Sequence, residues 1–163
     1  MHDQSVAVFD HMLGTLSGIL RKAEAHCEAR KIDPAALLSF RLFPDMFNLT
    51  KQIQLVSDFA KAPAARLAGV DNPPMADTET SFAELQDRIA KTRAFLATIT
   101  PDMLKGAETR VVTFRQRGED RQLPGQTYLS GVALPHFFFH LTTAYNILRH
   151  NGVELGKADF IGR

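Results

Sequence analysis

The most informative stretch of this chain is Leu134–Gly152, which reads LPHFFFHLTTAYNILRHNG. It is largely apolar, carries three histidines and four aromatic residues, and ends in Asn-Gly, a pair typical of a helix C-terminus. Pro135 suits the first turn of a helix, where the missing N–H costs no hydrogen bond. The stretch therefore predicts a long, deeply buried helix that begins at Pro135.

The histidines of this helix fall on one side. Each residue advances about 100° around a helix, so steps of three and four residues align side chains in one row. Two imidazoles at positions i and i+4 are spaced to bind one divalent ion, but hydrogen bonds to carbonyls, hydroxyls or water would satisfy them equally well. The last histidine also suits the negative end of the helix dipole, without any ligand role. The row consists of His136, His140, Thr143, Ile147 and His150.

Three further long helices are predicted from apolar residues spaced three and four apart. The third of them starts at a capping box, in which a serine and a glutamate three residues later satisfy the first backbone N–H groups. The predicted helices run from Ser5 to about Ala29, from Pro44 to Gly69, and from Ser81 to Thr100.

The remaining segments are shorter. Asp33-Pro34 predicts the start of a connecting helix, and residues 70–80 predict a loop. Between Glu108 and Leu129 the pattern changes to β-branched and aromatic residues around a Gly-containing turn, which predicts a short hairpin or extended excursion. We therefore expect residues 1–163 to form one all-α domain, a four-helix bundle with an excursion between the third and fourth helices.

A third ligand for an ion on the histidine row would come from a facing helix. On the second helix, Gln52 lies at the edge of the inner face and Asp45 lies in the first turn. An amide oxygen is a weak zinc ligand, and an acidic residue in a first turn also suits the helix dipole. His11 lies opposite the core face of the first helix and His2 lies at a fraying end, so both are poor candidates.

The composition is that of a globular protein. Apolar residues make up 45% and charged residues 23%, and 19 Lys and Arg against 18 Asp and Glu give a net charge of +1. The basic residues are scattered, which argues against a nucleic-acid partner. No apolar run approaches the roughly 18 residues of a spanning helix, and the start of the chain lacks a signal-peptide pattern, so we expect no membrane partner.

Cys27 is the only cysteine, which excludes an intrachain disulfide and a thiol-based metal cluster. It falls on the core face of the first helix, where a buried inert thiol is more common than a redox or nucleophilic one. A single cysteine fits a reducing compartment, and we expect a cytoplasmic protein.

Three strings carry a resemblance to a known family: FPDMFNLTKQIQ, SDFAKAPAARLAGV and PHFFFHLTTAYNILRHNGVELGK. They resemble an uncharacterised bacterial branch of the DinB and YfiT-like superfamily, a group of four-helix bundles proposed to be metalloenzymes. The resemblance implies a homodimer and a zinc or nickel ion held by one histidine on the second helix and an HxxxH pair on the last. His136 and His140 match that pair, whereas the second helix offers Gln52 in place of a histidine.

Two functional hypotheses follow. In the first, the protein is a non-catalytic or ligand-binding bundle, and the histidine row forms a polar patch in a small-molecule pocket or at a dimer interface. In the second, it is a metal-dependent enzyme of the thiol-transferase or hydrolase type, with His136, His140 and Gln52 around a zinc or nickel ion. The sequence indicates no catalytic residue and no substrate. If the row is buried and metal-free, its protonation below about pH 6 should destabilise the fold.

Overall fold

The computed structural model describes residues 1–162, which are mostly helical and include one two-stranded sheet. The four predicted long helices and the hairpin are present, but short helices between and after them make the fold more complex than a simple four-helix bundle. Within residues 1–162, no helix is both long enough and apolar enough to cross a membrane. The elements are α1 (Val6–Arg30), α2 (Pro34–Leu38), α3 (Leu49–Ala68), α4 (Phe82–Leu96), β1 (Val111–Gln116), β2 (Glu119–Pro124), α5 (Gly125–Tyr128), α6 (Leu134–His150) and α7 (Lys157–Ile161).

The long helices share one apolar core. Helix α3 packs against α6 and α4, and α1 packs against α4, α3, α6 and the short α7. Phe9 of α1 and Phe137 of α6 meet edge to face at 5.0 Å, and both are fully buried. Burying a side chain of this size stabilises the fold by about 1.5 to 3 kcal/mol. The core therefore fixes α6, and with it the histidine row, against α3.

Helix α3 begins later than predicted. Asn48 is its N-cap, since the side-chain Oδ1 accepts a hydrogen bond from the backbone N–H of Lys51 at 3.0 Å. Pro44 and Asp45 lie in a turn before the helix, closed by a hydrogen bond from Met46 N to Phe43 O at 3.0 Å. The prediction of a start at Pro44 was wrong, and Asp45 is an exposed residue outside the first turn.

The predicted hairpin is confirmed. Strands β1 and β2 are antiparallel and pair from Val111 with Pro124 to Gln116 with Glu119. Arg117 and Gly118 form the two-residue turn, with φ values of 53° and 85°. Positive φ at both positions is what a type I′ turn requires, and such turns match the twist of the two strands.

The last helix starts before Pro135. Helix α5 continues through a π-helical turn, Leu129–Ala133, directly into α6. In a regular α-helix the ring of Pro135 would clash with the carbonyl group of Gly131 and leave it without a partner. The wider π turn accommodates the proline inside a continuous helical segment, and α6 itself begins at Leu134, one residue before the predicted start at Pro135. Two residues, Leu134 and Pro135, separate this turn from His136, the first histidine of the row.

Candidate functional site

The three histidines of the predicted row differ in their exposure to solvent. His140 is 8% exposed, whereas His136 is half-buried and His150 is exposed at the end of α6. The imidazole of His150 packs against Phe40, with ring centroids 5.7 Å apart, instead of facing α3. The structure therefore brings His136 and His140 to the α3 interface and leaves His150 outside it.

Gln52 of α3 makes a direct contact with His140. Its side chain is 1% exposed, its Nε2 donates to the carbonyl oxygen of Phe47 at 3.1 Å, and its Oε1 accepts from His140 Nδ1 at 2.8 Å. Because an amide oxygen only accepts hydrogen bonds, the ring hydrogen of His140 is on Nδ1. Nε2 of His140 therefore keeps an unprotonated lone pair.

His136 has the same tautomer for a different reason. Its Nδ1 donates to the carbonyl oxygen of Val132, in the π-helical turn, at 2.8 Å. Phe59 of α3 stacks on both imidazoles, with centroid distances of 4.7 Å to His136 and 5.4 Å to His140 and interplanar angles of 17° and 15°. One phenyl ring thus holds both imidazoles in orientation.

The environment of His140 keeps it neutral. Burial, together with a smaller contribution from the nearby His136, lowers the pKa of His140 to about 4. A charged imidazole would lose its hydration at this position, which is why the neutral form is favoured. At neutral pH, His140 is therefore a hydrogen-bonding group without charge.

A cavity of about 300 Å³ lies beside His136, between α3, α5 and β1. Phe59 and Arg66 reach it from α3, Tyr128 from α5 and Phe114 from β1. Arg66 Nη1 donates to the Tyr128 hydroxyl oxygen at 3.0 Å. Burial raises the pKa of Tyr128, although the charge of Arg66 and its hydrogen bond act in the opposite direction, so the phenol stays protonated. The cavity thus combines aromatic walls with hydrogen-bond donors.

Asp58 also lines this cavity, and cationic side chains compensate its charge. Asp58 Oδ1 accepts from Arg88 Nη2 at 3.0 Å and pairs with Lys61 Nζ at 3.2 Å. Arg88 is almost fully buried and also contacts Asp77 and Glu79, at 3.1 Å and 2.9 Å. This network ties the loop before α4 to α3 and α4.

Most residues that line the cavity were not predicted from the sequence to be functional. The spacing of Phe59, Ala62 and Arg66 places them on one face of α3, and that signal was present in the sequence. Tyr128 gave no comparable signal. It lies in α5, and the Pro124-Gly125 pair at the start of that helix is a sequence typical of a turn.

The donor set around the histidine pair is smaller than that of a catalytic zinc site, which has three protein ligands. In the part of the chain that the structure describes, no group of three or more His, Cys, Asp or Glu lies together to hold one ion. The amide oxygen of Gln52 is engaged by His140 Nδ1 at 2.8 Å. His136 and His140 therefore provide two imidazole nitrogens, and these residues do not complete a three-ligand centre.

The other candidates lie away from the pair. His11 is exposed on α1, and its Nε2 donates to the carbonyl oxygen of Ile161 at 2.7 Å. Cys27 is 1% exposed, and burial, with smaller contributions from Glu24 and Asp33, raises the pKa of its thiol. A thiol that is buried and protonated is unreactive, as the position of Cys27 on the core face of α1 predicted.

The fold places the chain among the DinB-like proteins. A crystal structure of a DinB family member from Shewanella denitrificans is similar to it, with a TM-score of 0.94 and 41% sequence identity, covering 99% of this chain and 92% of that chain. Residues 1–161 match the family described as a domain of unknown function, DUF1993, and the chain belongs to that family. The resemblance predicted from the three sequence strings is therefore confirmed. None of the curated proteins matches the chain.

Proposed function

We propose that this protein is a non-catalytic, ligand-binding helical bundle, and that the cavity beside His136 binds a small molecule. One observation carries the proposal: His136 and His140 both donate Nδ1–H to protein oxygens at 2.8 Å and both stack on Phe59, next to a cavity of about 300 Å³. Fixed polar groups beside an apolar cavity are typical of small-molecule sites.

The tautomers define what the histidines offer to a ligand. With the hydrogen on Nδ1, Nε2 of each imidazole is an acceptor, so His136 presents an acceptor while Arg66 and Tyr128 present donors. Because Gln52 and Phe59 hold the rings, little side-chain entropy would be lost on binding. The site is preorganised for a ligand that carries both an acceptor and an apolar body.

A homodimer is the second part of this proposal, and exposed aromatic residues near the histidine pair support it. Phe139 is 59% exposed and packs against His140 at 5.2 Å, and Phe47, 55% exposed, supplies the carbonyl oxygen that Gln52 contacts. Large exposed aromatic side chains are typical of protein interfaces. Light scattering on Phe139→Asn should show a lower molecular mass than the unmodified dimer, whereas a monomeric unmodified protein would contradict this part.

NMR spectroscopy of histidine-labelled protein tests the pocket. We expect members of a small-molecule library to shift the ring signals of His136 and leave those of His150 in place, since His150 lies outside the interface. The His136→Gln protein should lose affinity for the same compounds, and the His150→Gln protein should keep it. A library that shifts neither His136 nor His140 would contradict a ligand pocket at this position.

A metal-dependent enzyme of the thiol-transferase or hydrolase type is the second candidate function. The observation that favours it is the orientation of the imidazoles, since metal-bound histidines usually donate their other ring N–H to an oxygen, as His136 and His140 do. Zinc or nickel would be held by these two residues. Since no third His, Cys, Asp or Glu among residues 1–162 lies with them, any further ligand would have to be of another kind.

Elemental analysis separates the two candidates. The protein is purified without an affinity tag or added metal and compared with a His136→Ala/His140→Ala protein whose folding is checked by circular dichroism. The proposed function predicts the same low metal content in both. About one zinc or nickel per chain that disappears in the double variant would support the enzyme instead.

A further inference from the structure

The cavity beside His136 has an excess of hydrogen-bond donors at one end. Arg66 Nη1 donates to the Tyr128 hydroxyl oxygen at 3.0 Å, so this hydroxyl keeps its own hydrogen to donate elsewhere. Arg115 of β1 lines the same cavity. Across residues 1–162, neither Arg66 nor Arg115 forms a salt bridge with a carboxylate. Both arginines are exposed to solvent, and an anionic ligand would form charge-assisted hydrogen bonds with them that are stronger than those of a neutral ligand.

The charge balance of the cavity is positive. Asp58 is the carboxylate among the residues that line it, and Arg88 and Lys61 already pair with its Oδ1 at 3.0 Å and 3.2 Å. With Asp58 compensated from outside the cavity, the two arginines of the lining have no opposing charge within it. An anion would therefore be attracted and a cation repelled.

The walls of the cavity favour a flat apolar body. Phe59 stacks on His136 at 4.7 Å, Phe114 packs against Tyr128 at 4.9 Å, and all four rings line the cavity. Aromatic rings pack well in offset or edge-to-face arrangements, so two such pairs suit a planar ring between them. A cavity of about 300 Å³ is at the small end of ligand sites and fits a single ring with one substituent.

We infer that the ligand of this cavity is a small, single-ring aromatic carboxylate. Its ring lies between the Phe59–His136 and Phe114–Tyr128 pairs, and its carboxylate accepts hydrogen bonds from Arg66 and from the Tyr128 hydroxyl. This inference rests on the proposed ligand-binding function and adds the chemical class of the ligand.

Benzoate and its neutral isostere benzamide test the inference by titration calorimetry and by the NMR shifts of His136. Benzoate should bind about tenfold or more tightly than benzamide, because a charge-assisted hydrogen bond is stronger than a neutral one. Arg66→Gln should remove most of this preference, and Tyr128→Phe should reduce it. Arg30→Gln, at the exposed end of α1, should leave it unchanged and is the matched control.

The outcomes separate the two levels of the proposal. Equal binding of benzamide and benzoate, both with shifts at His136, would overturn the anionic class while the ligand pocket stands. Benzoate affinity that survives both Arg66→Gln and Tyr128→Phe would overturn the placement of the carboxylate. If neither probe, nor any compound of the wider library, shifts His136, both the pocket and the inference are wrong.

Discussion

Acid should destabilise this protein through His140. The pKa of a histidine is about 6.5 in an unfolded chain, whereas burial lowers that of His140 to about 4. Each pKa unit is worth about 1.4 kcal/mol, so the full difference of about 2.5 units is about 3.5 kcal/mol. Since His140 is 8% exposed and some solvent reaches the ring, we expect a loss of roughly 2 to 3 kcal/mol.

The direction follows from proton uptake. Between pH 6.5 and pH 4 the unfolded chain binds a proton at this histidine and the folded protein does not, so protons favour unfolding in that window. The contribution of His140 to stability is therefore complete above about pH 6.5 and is lost progressively as the pH falls to about 4.

Urea unfolding followed by circular dichroism measures this effect between pH 7 and pH 4. The pKa values of Asp77 and Glu79 are also lowered. Burial alone would raise both, but Lys51 and Arg88 outweigh it at Asp77, and Arg88 with hydrogen bonds from the backbone and Gln54 outweighs it at Glu79. Acid therefore weakens every variant. His140→Gln should lose about 2 to 3 kcal/mol less than the wild-type protein over this range, and His150→Gln should behave as the wild type does. Identical pH dependence of the wild-type and His140→Gln proteins would refute the reasoning.

Three further substitutions test individual contacts by urea unfolding or NMR. Gly125→Ala would place its Cβ 1.9 Å from a backbone oxygen, so we expect a loss of about 2 kcal/mol or more, whereas Gly131→Ala, with nothing within 4 Å, should be neutral or slightly stabilising. Arg88→Met should cost about 2 to 3 kcal/mol, because it leaves Glu79, whose side chain is 11% exposed, without its cationic partner, whereas Asp58 and Asp77 keep their lysine partners. Lys91→Met, in an exposed ion pair, should cost less than about 1 kcal/mol. Gln52→Glu should raise the pKa of His140, because a carboxylate against Nδ1 stabilises the imidazolium; an unchanged or lower value would contradict the Gln52–His140 contact.

Much of the fold could be predicted because its signals are local. The buried face of α1, the Asp33 and Ser81 caps and the hairpin turn each depend on residues within a few positions of one another. The start of α3 was missed because two helix-start signals compete, and the asparagine cap at Asn48 overrides the proline at position 44. The π-helical turn was missed because its cause, Pro135, normally begins a helix.

The site was predicted only where it is local to α6. The spacing of His136 and His140 predicts that they lie on one face of α6. Their hydrogen-bond acceptors, however, come from α3 and from the backbone of the π-helical turn. Gln52 was placed at the edge of the inner face and is in fact buried against His140. Contacts between residues far apart in sequence depend on how the helices pack, which periodicity alone does not specify.

Gln52 is the residue on which the two functional hypotheses differ most. Its Oε1 accepts from Nδ1 of His140, while an ion on the same ring would bind Nε2, and these nitrogens point in different directions. One amide oxygen therefore cannot keep this hydrogen bond and also coordinate an ion at Nε2. As long as the contact is kept, Gln52 acts on the orientation and charge of His140 in either hypothesis. Among residues 1–162, no third His, Cys, Asp or Glu lies with His136 and His140 to complete a metal centre. A pocket that binds a small anion needs no such ligand, and that is why we place the ligand-binding function first.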